Sequence, residues 1–289
     1  MRYRFIEEHR SDRLRIESMC ASVNISPSGY YDWRKRKVSK RAEANARLLE
    51  EIRTVYEQSR GTYGSPRVRE ELHARGYRCG EHRVAQLMRT HGIRAKMKRH
   101  FRVRTTQRRE TDPVAANLVQ QKFVAERPNQ LWSSDITYLW TREGWLYLAV
   151  VLDVYSRQIV GYALKNRLTT DLVTDAFKRA VHWRQVEPGM ILHSDRGCQY
   201  TSQEFQRLLG AHGVRPSMSG SGNCYDNAIT ETFFHTLKTE HIYFERYETR
   251  EEAEQSIFEY IEVFYNRQRR HSALGYRSPE EFEHQSITS

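Results

Sequence analysis

Cysteine is scarce in this 289-residue chain. The four cysteines, Cys20, Cys79, Cys198 and Cys224, include no CxxC pair. Such spacing argues against a zinc cage and a disulfide framework, and it suits a reducing cytosol. Long apolar runs are also missing. The longest, Trp145–Leu152, falls well short of the ~20 residues a membrane span needs. The opening Met1–Glu8 lacks the apolar core of a signal peptide, so the sequence predicts a cytoplasmic protein with no membrane partner. The glycines form no phosphate-binding P-loop, and Cys198 and Cys224 have no evident His/Asn setting for a nucleophile. Hydrophobic residues make up only 38% of the chain, yet that suffices for a packed core.

Acidic residues are in deficit over the first part. Residues 1–125 carry 29 Lys+Arg against 14 Asp+Glu, a net of +15, whereas residues 126–289 carry 18 against 22, a net of −4. The basic part has the electrostatic footprint of a polyanion binder, nucleic acid above all. A soluble Arg-rich surface would explain isolated charges. It explains less well the runs Arg34–Lys37, Arg94–Arg104 and Arg108-Arg109.

The pattern along the chain predicts two short helices over 12–37, the first carrying Leu14, Ile16 and Met19 and the second starting at Ser26-Pro27. Residues 45–97 predict three more helices. Leu48, Leu49, Ile52 and Val55 have helical spacing, Ser65-Pro66 starts the next helix, and Gly76 and Gly92 act as stops. Arg67, Arg69 and Arg83 fall on the outer faces, where a helix-turn-helix would meet phosphates. From Leu131 the pattern changes. Strands are predicted at Leu131–Leu139, Trp145–Leu152, Gln158–Leu164, Met190–His193 and Val214–Met218. Helices are predicted at Thr169–Arg184, Ser202–His212, Asp226–Glu240 and Thr249–Asn266, with a last one starting at Ser278-Pro279. Three antiparallel strands followed by alternating helix and strand describe a mixed α/β sheet.

Within that frame Asp135 lies inside an apolar strand, where a charge is costly unless it is paired or bound to metal. Asp195 follows a short strand, and Glu231 sits on the long helix, with 35 residues between the two. Carboxylates converging at strand ends suit magnesium, a hard cation that takes oxygen ligands and substrate phosphate. Each acid taken singly could equally be a surface charge or cap. Asp153 also ends a strand and is a rival ligand, unless Arg157 pairs with it. His193 is read as packing or as holding a carboxylate. Glu231, His235 and Lys238 share one helix face. Lys238 can reach a DNA phosphate held beside the site, or pair with Glu231 or Glu240 on its own helix.

The segments Leu131–Tyr138, Leu152–Arg157, His193–Ser202, Gly222–Ala228 and Glu231–Lys238 together resemble the integrase core of bacterial insertion-sequence transposases. The match is to the second-frame product of the insertion sequence three family, related to retroviral integrases. The tail Tyr265–Gly275 through Ser278-Pro279 resembles that family too, as does the helix-turn-helix stretch with Gly61–Arg67. The resemblance implies a ribonuclease-H-like mixed-sheet core preceded by all-α helix-turn-helix modules. It divides the chain into a helical N-terminal segment (1–40), a helix-turn-helix domain (41–100), a basic linker (101–126), a catalytic core (127–245) and C-terminal helices (246–289). It implies that Asp135, Asp195 and Glu231 are catalytic and bind two Mg2+ ions, with Mn2+ as a substitute, and that Asp153 is a turn residue. Lys238 is expected at the transposon end, and Asn223, Asp226 and Asn227 lead into the catalytic helix. Asn223 and Asn227 are expected, with Arg67, Arg69 and Arg83, to touch DNA. Cys198 departs from the family's usual serine.

The implied partners are duplex DNA (terminal repeats and target), further copies of the chain in a synaptic complex, and an upstream-frame protein supplied by frameshift fusion. The implied location is the bacterial nucleoid. A ribonuclease-H-type nuclease, a non-catalytic regulator of transposition and a subunit active only as the fusion are the alternative readings.

Overall fold

The computed structural model describes residues 2–10, 14–35, 39–96, 115–120, 123–220 and 227–288. Three short helices come first, α1 (Arg2–Glu8), α2 (Ile16–Ser22) and α3 (Pro27–Lys35). They close over a small core of Ile6, Met19, Cys20 and Tyr30. Helix α1 is additional to the expected pair, and Leu14, expected inside, lies ahead of α2 at 55% exposure. Then follow α4 (Lys40–Gln58), α5 (Ser65–Ala74) and α6 (Glu81–Thr90). Ser39 caps α4 by accepting the Ala42 N–H at 3.2 Å, and Gly76 and Gly92, at φ +85° and +71°, let the chain leave α5 and α6. These bounds agree with the helical spacing and glycine stops of the sequence.

The sheet contains β1 (Leu131–Thr141), β2 (Gly144–Asp153), β3 (Ile159–Lys165), β4 (Ile191–Ser194) and β5 (Arg215–Met218) in the order β3-β2-β1-β4-β5. β1, β2 and β3 form an antiparallel meander, while β4 and β5 run parallel to β1. Alternation along the strands sends side chains to two layers. On one side α7 (Thr170–Trp183), α8 (Cys198–Thr201) and α9 (Gln203–Ala211) pack on the sheet, with Trp132, Val151, Phe177 and Phe205 in the core. α7 approaches so closely that a Cβ on Gly161 of β3 would stand 2.3 Å from the Ala176 carbonyl oxygen.

The other side is covered by α10 (Ala228–Glu240) and by α11 (Arg250–Phe258) with its π-helical continuation Glu259–Tyr265; α12 (Pro279–Thr288) follows, with its Phe282 ring against Tyr155. The sequence pattern runs α11 and the π-helical stretch together as one helix, Thr249–Asn266. The wider π turn puts Tyr260, Ile261, Phe264 and Tyr265 all inward. Leu148 and Val150 of the sheet share one buried cluster with Ile257 and Phe264, and with Leu48, Ile52, Val68 and Val84 of the helical module. The expected divisions 41–100, 127–245 and 246–289 are therefore joined by a continuous core. Among the described residues no helix is long and apolar enough to cross a membrane.

Candidate active site

Strand register brings the first two acids together. β1 pairs in parallel with β4 through Leu131↔Ile191, Trp132↔Leu192 and Ser133↔His193. Two residues further along each chain stand Asp135 and Asp195, in equivalent positions on neighbouring lines that lie ~4.8 Å apart in a sheet. β4 ends at Ser194, so β1 loses that partner beyond Ser133, and α10 packs beside it there. Ser133 donates to Asn227 Oδ1 at 2.7 Å and lies 2.6 Å from the Thr230 hydroxyl, which fixes the first turn of α10 to the strand. Glu231 follows directly and is exposed.

Backbone amides orient both aspartates. The Ile136 N–H donates to Asp135 Oδ1 at 2.7 Å, and the Gly197 N–H donates to Asp195 Oδ1 at 2.9 Å. Both carboxyls are pushed above the usual range. For Asp135, burial is the largest cause, followed by the charge of Asp195, with Glu231 adding to it and Lys238 opposing. Burial also raises Asp195. Among the described residues no ion pair neutralises Asp135 or Asp195. Two crowded acids of this kind favour a cation between them. Among the described residues no three His, Cys, Asp or Glu side chains are grouped closely enough to hold a metal ion together. The arrangement is two rigid carboxylates with a third, exposed one on the adjoining helix.

Models for an integrase core domain match residues 125–224 and 231–287, and a model for an HTH-like domain matches 43–101. The chain is 43% identical over 290 residues to the transposase InsF of insertion sequence IS3A from Escherichia coli K12, covering 99% of this chain and 100% of that one. The chain belongs to the transposases of the IS3 family. It is also 44% identical, over 91% of its own length and 97% of the other, to a 31 kDa protein of insertion element IS600 from Shigella sonnei. Among solved structures, the catalytic core of the HTLV-2 integrase in complex with magnesium aligns with 55% of this chain and 99% of its own, at 16% identity and a TM-score of 0.39. A simian T-cell lymphotropic virus intasome aligns with 81% of this chain and 74% of its own, at 16% identity and a TM-score of 0.46.

The transposase is thus a polynucleotidyl transferase of DNA transposition, with an integrase core behind a helix-turn-helix-like domain. Asp153, the rival ligand, is fully buried at the end of β2. Its Oδ2 accepts from the Asn129 N–H at 2.7 Å and Trp132 Nε1 at 3.3 Å, and its Oδ1 accepts from the Tyr155 N–H at 2.9 Å. Those donors give it a structural task, and among the described residues no ion pair joins it to Arg157. His193 is buried, with Ser217 Oγ at 2.9 Å and Ser219 Oγ at 3.3 Å.

Several side chains expected on DNA have partners within the chain. Asn227 is buried and also donates to the Ser134 carbonyl at 3.5 Å. Arg67 pairs with Glu240 at 3.3 Å, Arg69 pairs with Glu70, and Arg83 Nε donates to Asn45 Oδ1 at 2.8 Å. Asn223 and Asp226 lie outside the described residues. Lys238 pairs with neither acid of its helix among the described residues; its Nζ stands 5.1 Å from the Tyr138 ring centre. Sequence reasoning overlooked Ser133, Thr230 and Tyr200. Tyr200 is buried with its hydroxyl 2.9 Å from Ser134 Oγ, and the Asp135 and Asp195 charges add to burial in raising its pKa. The available signal was two adjacent serines directly ahead of Asp135 in β1.

Proposed function

We propose that Asp135, Asp195 and Glu231 are the catalytic trio of this transposase and that they hold two Mg2+ ions, with Mn2+ able to substitute. The observation that carries the reading is the register placing Asp135 beside Asp195 with no cation of the described chain paired to either. The donor set fits the metal: carboxylate oxygens only, in an open arrangement that leaves places for water and a substrate phosphate. Bound there, the ions would stabilise the attacking and leaving oxygens of an in-line displacement.

The residues of the chain divide the remaining work. The β1 and β4 backbones and the Ile136 and Gly197 amides fix two carboxylates before DNA arrives, so little reorganisation is left for the reaction. The Ser133, Asn227 and Thr230 contacts set the height of α10 and hence of Glu231. Lys238 supplies positive charge for a phosphate next to the one attacked. The reaction has two parts. Water cleaves a phosphodiester at the element's end and frees a 3′-OH, and that 3′-OH then attacks a second phosphodiester, releasing another 3′-OH. One phosphodiester is exchanged for another in the second part, so ATP is not required. The DNA partners are the terminal repeats and the target. Two ends must be held together, so further copies of the chain take part, and an upstream-frame protein joins it as a fusion in the nucleoid.

Asp135→Asn, Asp195→Asn and Glu231→Gln each remove an anionic ligand at nearly constant volume. Each is expected to abolish cleavage and joining of labelled element ends while end binding in a gel-shift assay stays intact. Full joining by Glu231→Gln overturns the assignment.

A further inference from the structure

We infer that the Tyr200 hydroxyl is a positioning group for the metal site: through Ser134 it holds the strand of Asp135 and the turn of Asp195 at the spacing that Mg2+ needs; this rests on the trio proposed above. Tyr200 lies on α8, the short turn that follows Asp195. Its backbone is held at both ends. The Tyr200 N–H donates to the Gly197 carbonyl at 2.9 Å, and Gln206 Nε2 donates to the Tyr200 carbonyl at 2.7 Å. Gly197 is the residue whose own N–H orients Asp195. The phenol then reaches β1. Its oxygen stands 2.9 Å from Ser134 Oγ, and that hydroxyl donates to the Val150 carbonyl at 2.8 Å. Ser134 has one proton to give and Val150 takes it, so Tyr200 is the donor to Ser134. Val150 is the residue directly opposite Asp135 in the antiparallel pair. The chain of bonds therefore runs from the Asp195 turn to the neighbour of Asp135 in sequence and on to its neighbour across the strands.

The place of this bond gives it more than a packing task. The β1–β4 ladder is paired as far as Ser133↔His193, short of both aspartates. The Tyr200–Ser134 bond continues the link between the two segments past the end of that ladder. Asn227, which precedes the helix of Glu231, donates to the Ser134 carbonyl at 3.5 Å. The carriers of all three acids therefore meet at Ser134. Ser134 and Asp135 point to opposite faces of β1, and Tyr200 packs with Trp132 and Phe205 in the core on the Ser134 side. Tyr200 supports the carboxylates from behind and is no ligand itself. Burial, with the charges of Asp135 and Asp195 added to it, keeps the phenol protonated and able to donate. If filling the core were its only task, phenylalanine would serve without a buried hydroxyl to satisfy. Magnesium demands near-ideal octahedral geometry, so the spacing of two of its ligands bears directly on its affinity.

The test uses the full chain bound to DNA of the element's end, with Mg2+ titrated upward from chelator. Two readings are taken, the rise in melting temperature and the rate of joining. Tyr200→Phe keeps the ring and removes only the hydroxyl. It is expected to raise the half-saturating Mg2+ concentration about tenfold or more in both readings, with end binding in chelator unchanged and joining restored by excess Mg2+. Ser134→Ala breaks the same link from the strand side and carries the test should Tyr200→Phe not fold. It should raise the half-saturating concentration similarly, and the double variant should go little beyond either single change, as groups acting in one chain do. A Tyr200→Phe protein that only melts earlier, with the parental Mg2+ half-saturation in both readings, has lost packing alone and overturns the inference. So do additive shifts in the double variant, or slower joining at saturating Mg2+ with half-saturation unchanged. A wrong trio would show separately, as a parental Mg2+ response of the melt in Asp135→Asn.

Discussion

Arg269 and Glu240 form a two-pronged ion pair, with Nη2 to Oε1 at 2.6 Å and Nε to Oε2 at 2.7 Å. Glu240 is the last residue of α10, the helix that carries Glu231, and Arg269 is almost wholly buried. Arg67, from the helix-turn-helix-like module, reaches the same carboxylate at 3.3 Å. One acid thus joins α10, the C-terminal segment and the helix-turn-helix-like module.

Removing one member of a buried pair leaves the other charge uncompensated, which costs about 3–5 kcal/mol. Arg269→Ala is therefore expected to lower the denaturant midpoint sharply. Arg67→Ala removes a more exposed and longer contact, and about 1 kcal/mol is expected. Denaturant unfolding of the two variants checks the ranking. Equal losses would mean that Arg67 contributes to the junction as much as Arg269 does.

Asp153→Asn separates structure from chemistry. An amide in its place keeps one acceptor but turns an NH2 toward backbone or indole donors now served by carboxylate oxygens. An unmet buried donor costs about 1–3 kcal/mol. The variant should melt earlier yet cleave and join at parental rate at a temperature where it is folded. A complete loss of joining in the folded variant would return Asp153 to the candidate ligands.

His241 sets a pH dependence. Its ring stacks on Tyr260 at 5.0 Å and meets Ser256 Oγ at 2.7 Å. Burial, with the Arg60 charge, lowers its pKa to about 4 from the ordinary 6.5. The folded protein keeps it neutral where the unfolded chain is protonated. Its contribution is full above pH 6.5 and is lost as pH falls toward 4, on the order of 3 kcal/mol at most. His241→Gln should flatten the fall in denaturant midpoint between pH 7 and 4.5 relative to the parent. A parallel pair of curves would remove His241 as a cause.

The sequence made the strands legible because apolar alternation and turn residues act locally, and it made Asp135 conspicuous because a charge inside an apolar strand is costly. The pairing of Asp135 with Asp195 could only be inferred, since it depends on which strands become neighbours. Side-chain direction was the least legible feature. Docking of the helical module and of α10 onto the sheet gives Arg67 and Asn227 the partners Glu240 and Ser133, which their sequence positions do not reveal. The turn α8 was missed because four residues are too few for a helical period. The inward-facing serines of β1 became readable only once α10 was known to lie over them.

Lys238 stands between the proposed trio and Tyr138 of β1. It lies seven residues after Glu231, two turns or ~10.5 Å along the helix, and is half-buried. Burial lowers its pKa and the Asp135 charge opposes that. If its task were structural, Lys238→Ala would cost only the contact with Tyr138, about 0.5–1 kcal/mol. If it serves a DNA phosphate, the same change should weaken binding of end DNA several-fold, reduce the salt dependence of binding by about one phosphate contact, and lower joining further. Arginine should retain more function than glutamine, because a cation is what the phosphate recognises. The measurement is end binding at two salt concentrations, with magnesium-dependent joining and a thermal melt of each variant. A Lys238→Ala protein that matches the parent in binding and joining would leave Lys238 as packing for Tyr138 alone.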